Sequence, residues 1–456
     1  MFTLMMVGVL LALVVLMFVM TVAFYYLAAL GGLATDALFG APYMGVAIVN
    51  AVTLGLAFLI GLGGLLTMAE RKWAGFIQDR IGPNRARLPL VPGAFGGIPH
   101  FVADGIKMLT KEDVIPARAS RVLYALGPML AFAPVLVIFG IVPIAPALDV
   151  RQLIPGTAAS FPVSLQVIPN LDVGLLFAFA FAGIAVYGAS LGGWASSNKL
   201  ALLGSVRAAS QMIAYEVALG LSLVGIFMAF ATLSPEKISE AQGASILGGA
   251  LPAWGVFIQP LGLLLFFAAS FAETKRAPFD MPEGESEIVG YFVEYSGLRF
   301  GMYMLSEFLE IVALGALTAT VFFGGWHLPD VPALGLEAWL LNTLGPVWLA
   351  FLQGTGFMIK VVLLCYIQLA IRWTFPRFRY DQVQALGWKI LLPLGLANVF
   401  VTGVLVLLDA SLDLLALVGL LQLALMVGVT VLYRAPKPKS VSGIPEPAAA
   451  HAPGHH

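Results

Sequence analysis

Residues 1–27, MFTLMMVGVLLALVVLMFVMTVAFYYL, contain no charged side chain. A helix of about 20 apolar residues crosses the hydrocarbon core of a bilayer, at about 1.5 Å per residue. The stretch has no basic beginning and is longer than the apolar part of a cleaved signal peptide, so we interpret it as a retained membrane span. Similar apolar stretches recur along the chain, and they decide its fold class.

The composition agrees with this interpretation, because 60% of the 456 residues are hydrophobic and only 11% are charged. A water-soluble domain with one core does not have this balance. The sequence therefore predicts an all-α, polytopic integral membrane helix bundle with about ten transmembrane helices. The apolar windows are 3–30, 44–69, 121–146, 172–195, 210–232, 255–272, 300–324, 347–371, 388–408 and 412–433.

Few other features divide the chain. We expect a single transmembrane domain over residues 1–434 and a disordered tail over 435–456, which is rich in Pro and Ala. The one cysteine, Cys365, argues against a disulfide and against a Cys/His metal or iron–sulfur site within this chain. The near-neutral net charge gives no indication of a nucleic-acid surface.

Basic residues predict the orientation of the spans. Of the 24 Lys and Arg residues, 21 fall in five segments, whereas Arg151 and Lys237 fall on the opposite side and Lys360 inside a span. By the positive-inside rule these five segments are cytoplasmic, and both chain termini with them. The segments are 70–121, 196–209, 273–299, 372–389 and the tail.

Carboxylates are concentrated between two apolar windows, over residues 273–310. A charge near hydrocarbon is costly unless it faces protein or water, so this density indicates a function that uses protons or cations. Glu216, in the first turns of another span, is a similar candidate. The alternatives are a solvated acidic loop and, for Glu216, a polar packing partner. The eight carboxylates are Glu273, Asp280, Glu283, Glu285, Glu287, Glu294, Glu307 and Glu310.

Two prolines predict the conformation of the carboxylate segment. Pro278 and Pro282 lack an amide donor and disfavour helix in the preceding residue, so we expect a loop through 273–287. Clustered carboxylates raise one another's pKa when they are buried, and they then exchange protons as a coupled set. We expect Lys275 and Arg276 to hold part of this set ionised.

Three other loops have patterns that suit a ligand. Residues 70–87, ERKWAGFIQDRIGPNRAR, combine five basic side chains with a Gly-Pro-Asn turn at 82–84. The apolar spacing in 99–116 predicts a short helix on the membrane surface. In 372–389, arginines alternate with aromatic residues, which suits a flat aromatic ligand. Membrane anchoring explains each of these patterns equally well.

Five passages, in order over residues 44–408, together resemble one family. The passages are ERKWAGFIQDRIGPNRA, ADGIKMLTKEDVIP, GWASSNKLALLGSVRAASQMIAYE, FAETKRAPFDMPEGESE with VEYSGLRFG, and FPRFRYDQ with GWKILLP. They resemble one membrane subunit of proton-pumping NADH:quinone oxidoreductase, respiratory complex I, namely the bacterial equivalent of mitochondrial subunit 1.

The resemblance implies a subunit that forms the wall and entrance of the quinone chamber and couples quinone reduction to proton translocation. It implies a bacterial cytoplasmic membrane location, contacts with lipid, and cytoplasmic peripheral-arm subunits as partners. Small membrane subunits and antiporter-like subunits would lie alongside. It further implies no cofactor bound in this chain, since FMN and iron–sulfur clusters would belong to partner subunits, and no complete active site in this chain alone.

Site residues transfer position by position from the resemblance. The residues implied for the quinone chamber are Arg71, Gln78, Arg80, Asp104, Lys107, Arg377, Arg379 and Asp381. The residues implied for the proton path are Glu216, Glu273, Arg276, Glu283, Glu285, Glu287, Glu294 and Glu307.

This sequence departs from the family pattern in three ways. The spans 1–34 and 412–433 lie outside the family core at 44–408, so neither inherits a role. Six residues separate Glu287 from Glu294, where we expect seven in the common pattern. Glu310 matches no position of the family motif.

Two alternative functions remain open on the sequence alone. A membrane subunit of a related ion-pumping hydrogenase needs no quinone, and the complete basic loop with Gln78 and Arg80 favours a quinone subunit over it. A secondary ion transporter would also explain Glu216, Glu307 and Lys360 inside spans. The absence of a recognisable sequence repeat argues against the transporter.

Overall fold

The structure is a computed structural model that describes residues 2–86, 97, 99–284, 288–330, 335–409 and 411–432. Helices form most of it. They are α1 (Phe2–Phe39), α2 (Pro42–Asn50), α3 (Gly61–Ile77), α4 (Pro99–Thr110), α5 (Arg121–Gly140), α6 (Val150–Leu153), α7 (Gly174–Ala195), α8 (Lys199–Phe230), α9 (Pro235–Ala241), α10 (Gly255–Ile258), α11 (Pro260–Glu273), α12 (Gly297–Phe322), α13 (Leu336–Leu344), α14 (Pro346–Thr374), α15 (Tyr380–Ala385), α16 (Leu392–Leu408) and α17 (Asp413–Leu432).

The remaining elements are short. Widened helical turns at Ala51–Ile60 and Leu386–Leu391 join α2 to α3 and α15 to α16, so each pair forms one continuous rod. Four two-residue strands make two antiparallel hairpins. They are β1 (Leu148–Asp149) with β2 (Pro162–Val163), and β3 (Ser245–Ile246) with β4 (Leu251–Pro252).

The predicted membrane helix bundle is confirmed. Within the described residues, nine helical rods are long and apolar enough to cross a membrane, and they correspond to nine of the ten apolar windows. The tenth window, 255–272, is interrupted at Gln259, which leaves α11 with 14 residues, or about 21 Å. Pro260 has no amide donor to continue the helix. The Gln259 side chain instead bonds to Asn398 (2.9 Å) and Thr402 (2.7 Å) of α16.

Helix α12 lies at the centre of the bundle. It packs against α3, α5, α11 and α14, and nearly all of its residues from Ser306 to Phe322 are buried. The outer helices are different, because leucines such as Leu421 and Leu425 of α17 are exposed. An exposed apolar face of this kind suits contact with lipid. The carboxylates of α12 are therefore in the interior of the bundle.

The two additional spans pack on this bundle as regular helices. In α1, Gly31 lies against Gly45 of α2, and the Tyr25 hydroxyl donates to the carbonyl oxygen of Pro146 at 2.5 Å. In α17, Gly419 packs against the main chain at Phe257 of α10. Small residues at such contacts let two helices approach closely.

The predicted loop and the predicted surface helix are both present. Residues 274–284 and 288–296 form turns between α11 and α12, and α4 is the expected short helix. Gly82 has a φ of +68°, a value that the glycine of the predicted turn adopts readily. The expected disordered tail, 435–456, lies outside the described residues.

Candidate functional site

Four segments that are distant in sequence meet at one end of the bundle. The Val114 amide donates to Ser296 Oγ at 2.8 Å, and the Phe378 amide donates to the Pro278 carbonyl oxygen at 3.0 Å. The Tyr380 hydroxyl donates to Ser210 Oγ at 3.0 Å. We call this end, where the basic loops of the sequence converge, the loop end.

Most residues assigned to the quinone chamber lie on the outer surface of the loop end. Arg71 Nη1 is 2.7 Å from Asp104 Oδ2, so the first basic loop and α4 are joined by an ion pair. The Arg80 Nε donates to Gln78 Oε1 at 2.7 Å, and Lys107 is exposed on α4. These side chains face outward, where a partner protein or a ligand has access to them.

Two further chamber residues pair with each other after α14. Arg379 contacts both carboxylate oxygens of Asp381, at 2.5 and 2.8 Å, and both side chains are exposed. A guanidinium that donates to both oxygens of a carboxylate favours its ionised form. The pair therefore presents a fixed positive and negative charge at the surface.

Arg377 leads inward from the surface to the carboxylate segment. Its Nη2 donates to Asp280 Oδ2 at 2.6 Å. Burial and the nearby charge of Glu283 raise the pKa of Asp280 to about 7, against the opposing effect of Arg377. Asp280 is thus a carboxyl group that exchanges a proton near neutral pH.

Arg276 is the centre of the buried charges. Its side chain is 6% exposed, with Nη1 3.4 Å from Glu70 Oε2 and Nε 3.2 Å from Glu307 Oε2. The guanidinium carbon lies 4.0 Å from the centre of the Phe308 ring, a cation–π contact. Arg372 forms a second ion pair with Glu70. Two arginines and two carboxylates therefore connect α3, α12, α14 and the loop.

Glu283 lies beside this group of charges. Burial raises its pKa well above the usual range, and the charge of Glu307 raises it further. Arg276 and Arg372 oppose this effect without overcoming it. Two carboxyl groups that interact in this way take up and release protons as a pair.

Lys275 extends the charged group along α12. Its Nζ is 3.4 Å from Glu310 Oε2 and 3.5 Å from the carbonyl oxygen of Glu273. Burial lowers the pKa of Lys275, but the charges of Glu310, Glu307 and Glu273 raise it more. The ammonium therefore keeps its proton.

A cavity lies next to the Lys275–Glu310 pair. Three carboxylates from three helices line it: Glu216 of α8, Glu273 of α11 and Glu310 of α12. Its volume is about 30 Å³, and the rest of its lining is apolar, with residues of α5 and α7 such as Ile138 and Phe179. Apolar walls of this kind disfavour the charged form of a carboxyl group beside them.

Several atoms of this group have no hydrogen-bond partner among the described residues. They are Glu273 Oε2, Arg276 Nε and Nη2, Asp280 Oδ1, Glu283 Oε1, both carboxylate oxygens of Glu307, and Arg372 Nη1. Buried polar atoms in native proteins nearly always have partners, so exceptions need an explanation. Protonated carboxyl groups and water in the cavity would provide one.

Glu294, which was assigned to the proton path, is placed differently. Glu294 accepts from Asn198 Nδ2 at 2.6 Å, and its carbonyl oxygen accepts from the Tyr124 hydroxyl at 2.7 Å. These contacts place it beside α5 and the start of α8 and not in the Arg276 group. Glu285 and Glu287 lie outside the described residues.

The sequence assignments omitted five residues that the structure places in this group: Glu70, Lys275, Asp280, Glu310 and Arg372. Glu70 stands next to Arg71 in the quoted motif, and Arg372 begins the arginine and aromatic stretch, so both were visible as sequence features. In the sequence, Glu310 was noted only as a carboxylate that was not matched to a position of the family motif. We call the whole group the loop-end network; its members are Glu70, Lys275, Arg276, Asp280, Glu283, Glu307, Glu310 and Arg372.

Comparison with known proteins identifies the family. The sequence model described as NADH dehydrogenase matches residues 49–403. The chain belongs to the NADH dehydrogenase family. This match spans the whole of the loop-end network, and it leaves all of α1 and all of α17 outside the NADH dehydrogenase region.

Relatives within the NADH dehydrogenase family carry a more specific name. A protein of Rhizobium meliloti (strain 1021), named as a subunit of NADH-quinone oxidoreductase, is 41% identical over 358 residues, which are 78% of this chain and 96% of the relative. "NADH-quinone oxidoreductase subunit 8" of Rhodothermus marinus is 42% identical over 352 residues, 75% of this chain and 94% of the relative. The resemblance to the complex I membrane subunit, predicted from the motifs, is confirmed, and the relatives are subunits of an oxidoreductase complex.

Proposed function

We propose that this membrane subunit forms part of the quinone chamber of NADH-quinone oxidoreductase and couples quinone reduction to proton translocation. The observation that supports the proposal most directly is the continuity of charged groups at the loop end. They run from the Arg377–Asp280 pair, through Arg276 and Glu307, to Lys275 and the carboxylate cavity. The names of the relatives support the same redox reaction.

The chemistry of quinone explains why such groups are useful. A quinone that takes up two electrons and two protons becomes a quinol, and the reduced intermediate is negative until the protons arrive. Asp280, whose pKa is about 7, is suited to exchange one of these protons. A charge change at the chamber would alter the proton affinity of the coupled carboxylates next to it.

The remaining parts of the complex would lie around this chain. We propose that the exposed surface formed by Arg71, Asp104 and Arg379 faces the peripheral-arm subunits on the cytoplasmic side. FMN and iron–sulfur clusters would be held by those subunits and deliver electrons to the quinone. Small and antiporter-like membrane subunits would continue the proton path from the cavity, in the bacterial cytoplasmic membrane.

The packing of the additional helices supports one transmembrane domain. Both α1 and α17 pack closely on the family core, through Gly31 and Gly419 respectively. The basic loops all belong to the loop end, so the positive-inside rule places that end in the cytoplasm. Both chain termini would then be cytoplasmic as well.

A substitution in the cavity tests the coupling. In membranes that contain the assembled complex, we expect Glu273→Gln to lower both NADH:quinone turnover and proton pumping by about tenfold. This loss corresponds to about 1.4 kcal/mol of transition-state stabilisation. Glu240→Gln is the matched control, since Glu240 is an exposed carboxylate that follows α8 at the opposite end of the bundle. Full turnover and full pumping in Glu273→Gln would overturn the coupling path.

A further inference from the structure

The ion pair between Lys275 and Glu310 is buried. The two side chains are 7% and 13% exposed, and Nζ lies 3.4 Å from Oε2. Salt screens such a pair much less than it screens a surface pair. Because Glu310 matches no position of the family motif, the pair is a feature of this chain that the family assignment leaves without a role.

Lys275 occupies a backbone position that usually belongs to glycine. Its φ is +55°, in the left-handed region, and its amide donates to the Ala272 carbonyl oxygen at 3.3 Å to close the end of α11. Glycine is the common residue after a helix in this conformation, because a side chain is disfavoured there. The position directs the lysine side chain toward α12, where it meets Glu310.

The cavity beside the pair is lined by a carboxyl group, Glu273, with one oxygen that has no hydrogen-bond partner among the described residues. Glu273 is 4% exposed and lines the cavity with Glu310 and Glu216. Within the described part of the chain, Glu273 Oε2 has no hydrogen-bond partner. A carboxyl oxygen in this situation is satisfied when its group carries a proton or contacts water in the cavity.

The three carboxylates around Lys275 differ in whether another cation pairs with them. Its ammonium faces the carboxylates of Glu310, Glu307 and Glu273, but Arg276 already pairs with Glu307. Lys275 is therefore the cation that Glu310 and Glu273 share. Its side chain contacts the carboxylate of Glu310, whereas at Glu273 it contacts only the main-chain carbonyl oxygen.

We propose that Lys275 is a positioning residue that keeps Glu310 ionised at the cavity, so that Glu310 accepts the proton that Glu273 releases. The proposal deepens the proposed coupling function and rests on it. In the step, the O–H bond of the Glu273 carboxyl breaks and an O–H bond forms on Glu310, through cavity water where the two do not touch. Lys275 keeps all its protons. The negative charge moves to Glu273, whose main-chain carbonyl oxygen the ammonium already contacts.

The test uses four variants in membranes that contain the whole complex. In Lys275→Met and Glu310→Gln we expect the number of protons pumped per electron pair to fall severalfold, while turnover measured with an uncoupler falls less. Lys275→Arg retains the positive charge and should retain pumping. The control is Lys237→Met, because Lys237 forms an exposed ion pair with Asp172 away from the loop end.

The double variant Lys275→Met with Glu310→Gln separates a proton-accepting role from a structural one. Removing both partners of a buried ion pair is often neutral for stability, whereas removing one is not. If the pair served only to neutralise charge, the double variant would recover pumping. We expect it to assemble normally, by the content of complex in membranes, and to pump as poorly as Glu310→Gln.

The results also distinguish this inference from the function on which it rests. Impaired pumping in Glu273→Gln, with normal pumping in Lys275→Met or in Glu310→Gln, would overturn the role of the pair and leave the coupling path standing. Normal pumping in Glu273→Gln would overturn both. Should Lys275→Met fail to assemble, Glu310→Gln and the double variant decide the question, since neither contains an unpaired buried carboxylate at position 310.

Discussion

The loop-end network and a second buried group near α13 differ in how completely their charged side chains are hydrogen-bonded. In the second group, Lys360 Nζ donates to the carbonyl oxygens of Phe323 (2.7 Å), Gly325 (3.0 Å) and His327 (2.5 Å). The ammonium also lies 4.7 Å from the centre of the Trp254 ring. All three ammonium protons therefore have partners in the turn that follows α12.

The carboxylate of the second group is equally well satisfied. Glu337 accepts from the Leu328 amide at 2.7 Å and from Gln353 Nε2 at 3.1 Å, and it lies 3.0 Å from His327 Nδ1. We call Lys360, His327, Glu337 and Gln353 the Lys360 cluster. In this cluster His327 Nε2 has no partner among the described residues, but both carboxylate oxygens of Glu337 do. In the loop-end network and the adjoining Glu273, by contrast, oxygens of four carboxyl groups have no partner there.

This difference distinguishes two kinds of buried charge in a membrane protein, those that stabilise the fold and those that transfer protons. A fully bonded charge is held in one protonation state and one geometry, which serves stability. A group of charges with unsatisfied atoms is held less firmly in any one state, which serves proton transfer. We therefore expect substitutions in the two groups to affect different measurements.

The largest effect should follow the loss of Arg276. In Arg276→Met, Glu307 loses its cation and Glu70 retains only Arg372, and an uncompensated buried charge costs about 3–5 kcal/mol. We expect little assembled complex in the membrane and no measurable NADH:quinone turnover. The amount of complex on a native gel and the turnover of membranes provide the measurement.

Arg276→Lys is the matched control for that variant. It keeps the charge but not the planar donor group that reaches Glu70 and Glu307 together, so it should assemble and retain part of the activity. Normal assembly and turnover in Arg276→Met would show that the carboxylates of the network do not depend on this cation.

The sequence predicted the membrane fold well, because length and apolar composition decide where a helix can cross a bilayer. Nine windows correspond to spans for this reason. The interruption of the tenth at Gln259 depends on bonds to Asn398 and Thr402, which come from a helix about 140 residues later. The proline at position 260 was a signal for it.

The candidate site was predicted less completely. The clustering of carboxylates at 273–310 was evident, yet Arg276 meets Glu70, 206 residues away, through tertiary packing alone. Glu294 was grouped with its sequence neighbours, whereas the turns before α12 bring it to Asn198 instead. Sequence proximity does not determine which side of a loop a side chain faces.

An intermediate effect is expected for the Lys360 cluster. Lys360→Met removes three hydrogen bonds from a charged donor, and such bonds contribute about 1.5–3 kcal/mol each, less the benefit of no longer burying a charge. We expect a lower temperature of thermal inactivation and an unchanged number of protons per electron pair. A loss of pumping at unchanged thermal stability would place Lys360 in the proton path and remove the contrast.

The smallest effect concerns the pH dependence of stability. The pKa of Asp280 in the folded protein is about 7, above its value of 3.8 in an unfolded chain, so the folded state binds more protons between these values. Stability from this group is then greatest at low pH and declines as pH rises through 7. Between about pH 6 and about pH 8 the decline is about 1.4 kcal/mol.

Asp280→Asn should remove this decline. We expect the temperature of thermal inactivation of the complex to fall less between about pH 6 and about pH 8 in Asp280→Asn than in the original chain. Glu337→Gln is the control from the other group: burial raises the pKa of Glu337, but His327, Leu328 and Gln353 together hold it below its usual value. Glu337 therefore stays ionised over this range, and its substitution should leave the pH slope unchanged. Equal slopes in the original chain and in Asp280→Asn would mean that Asp280 keeps one protonation state across neutral pH.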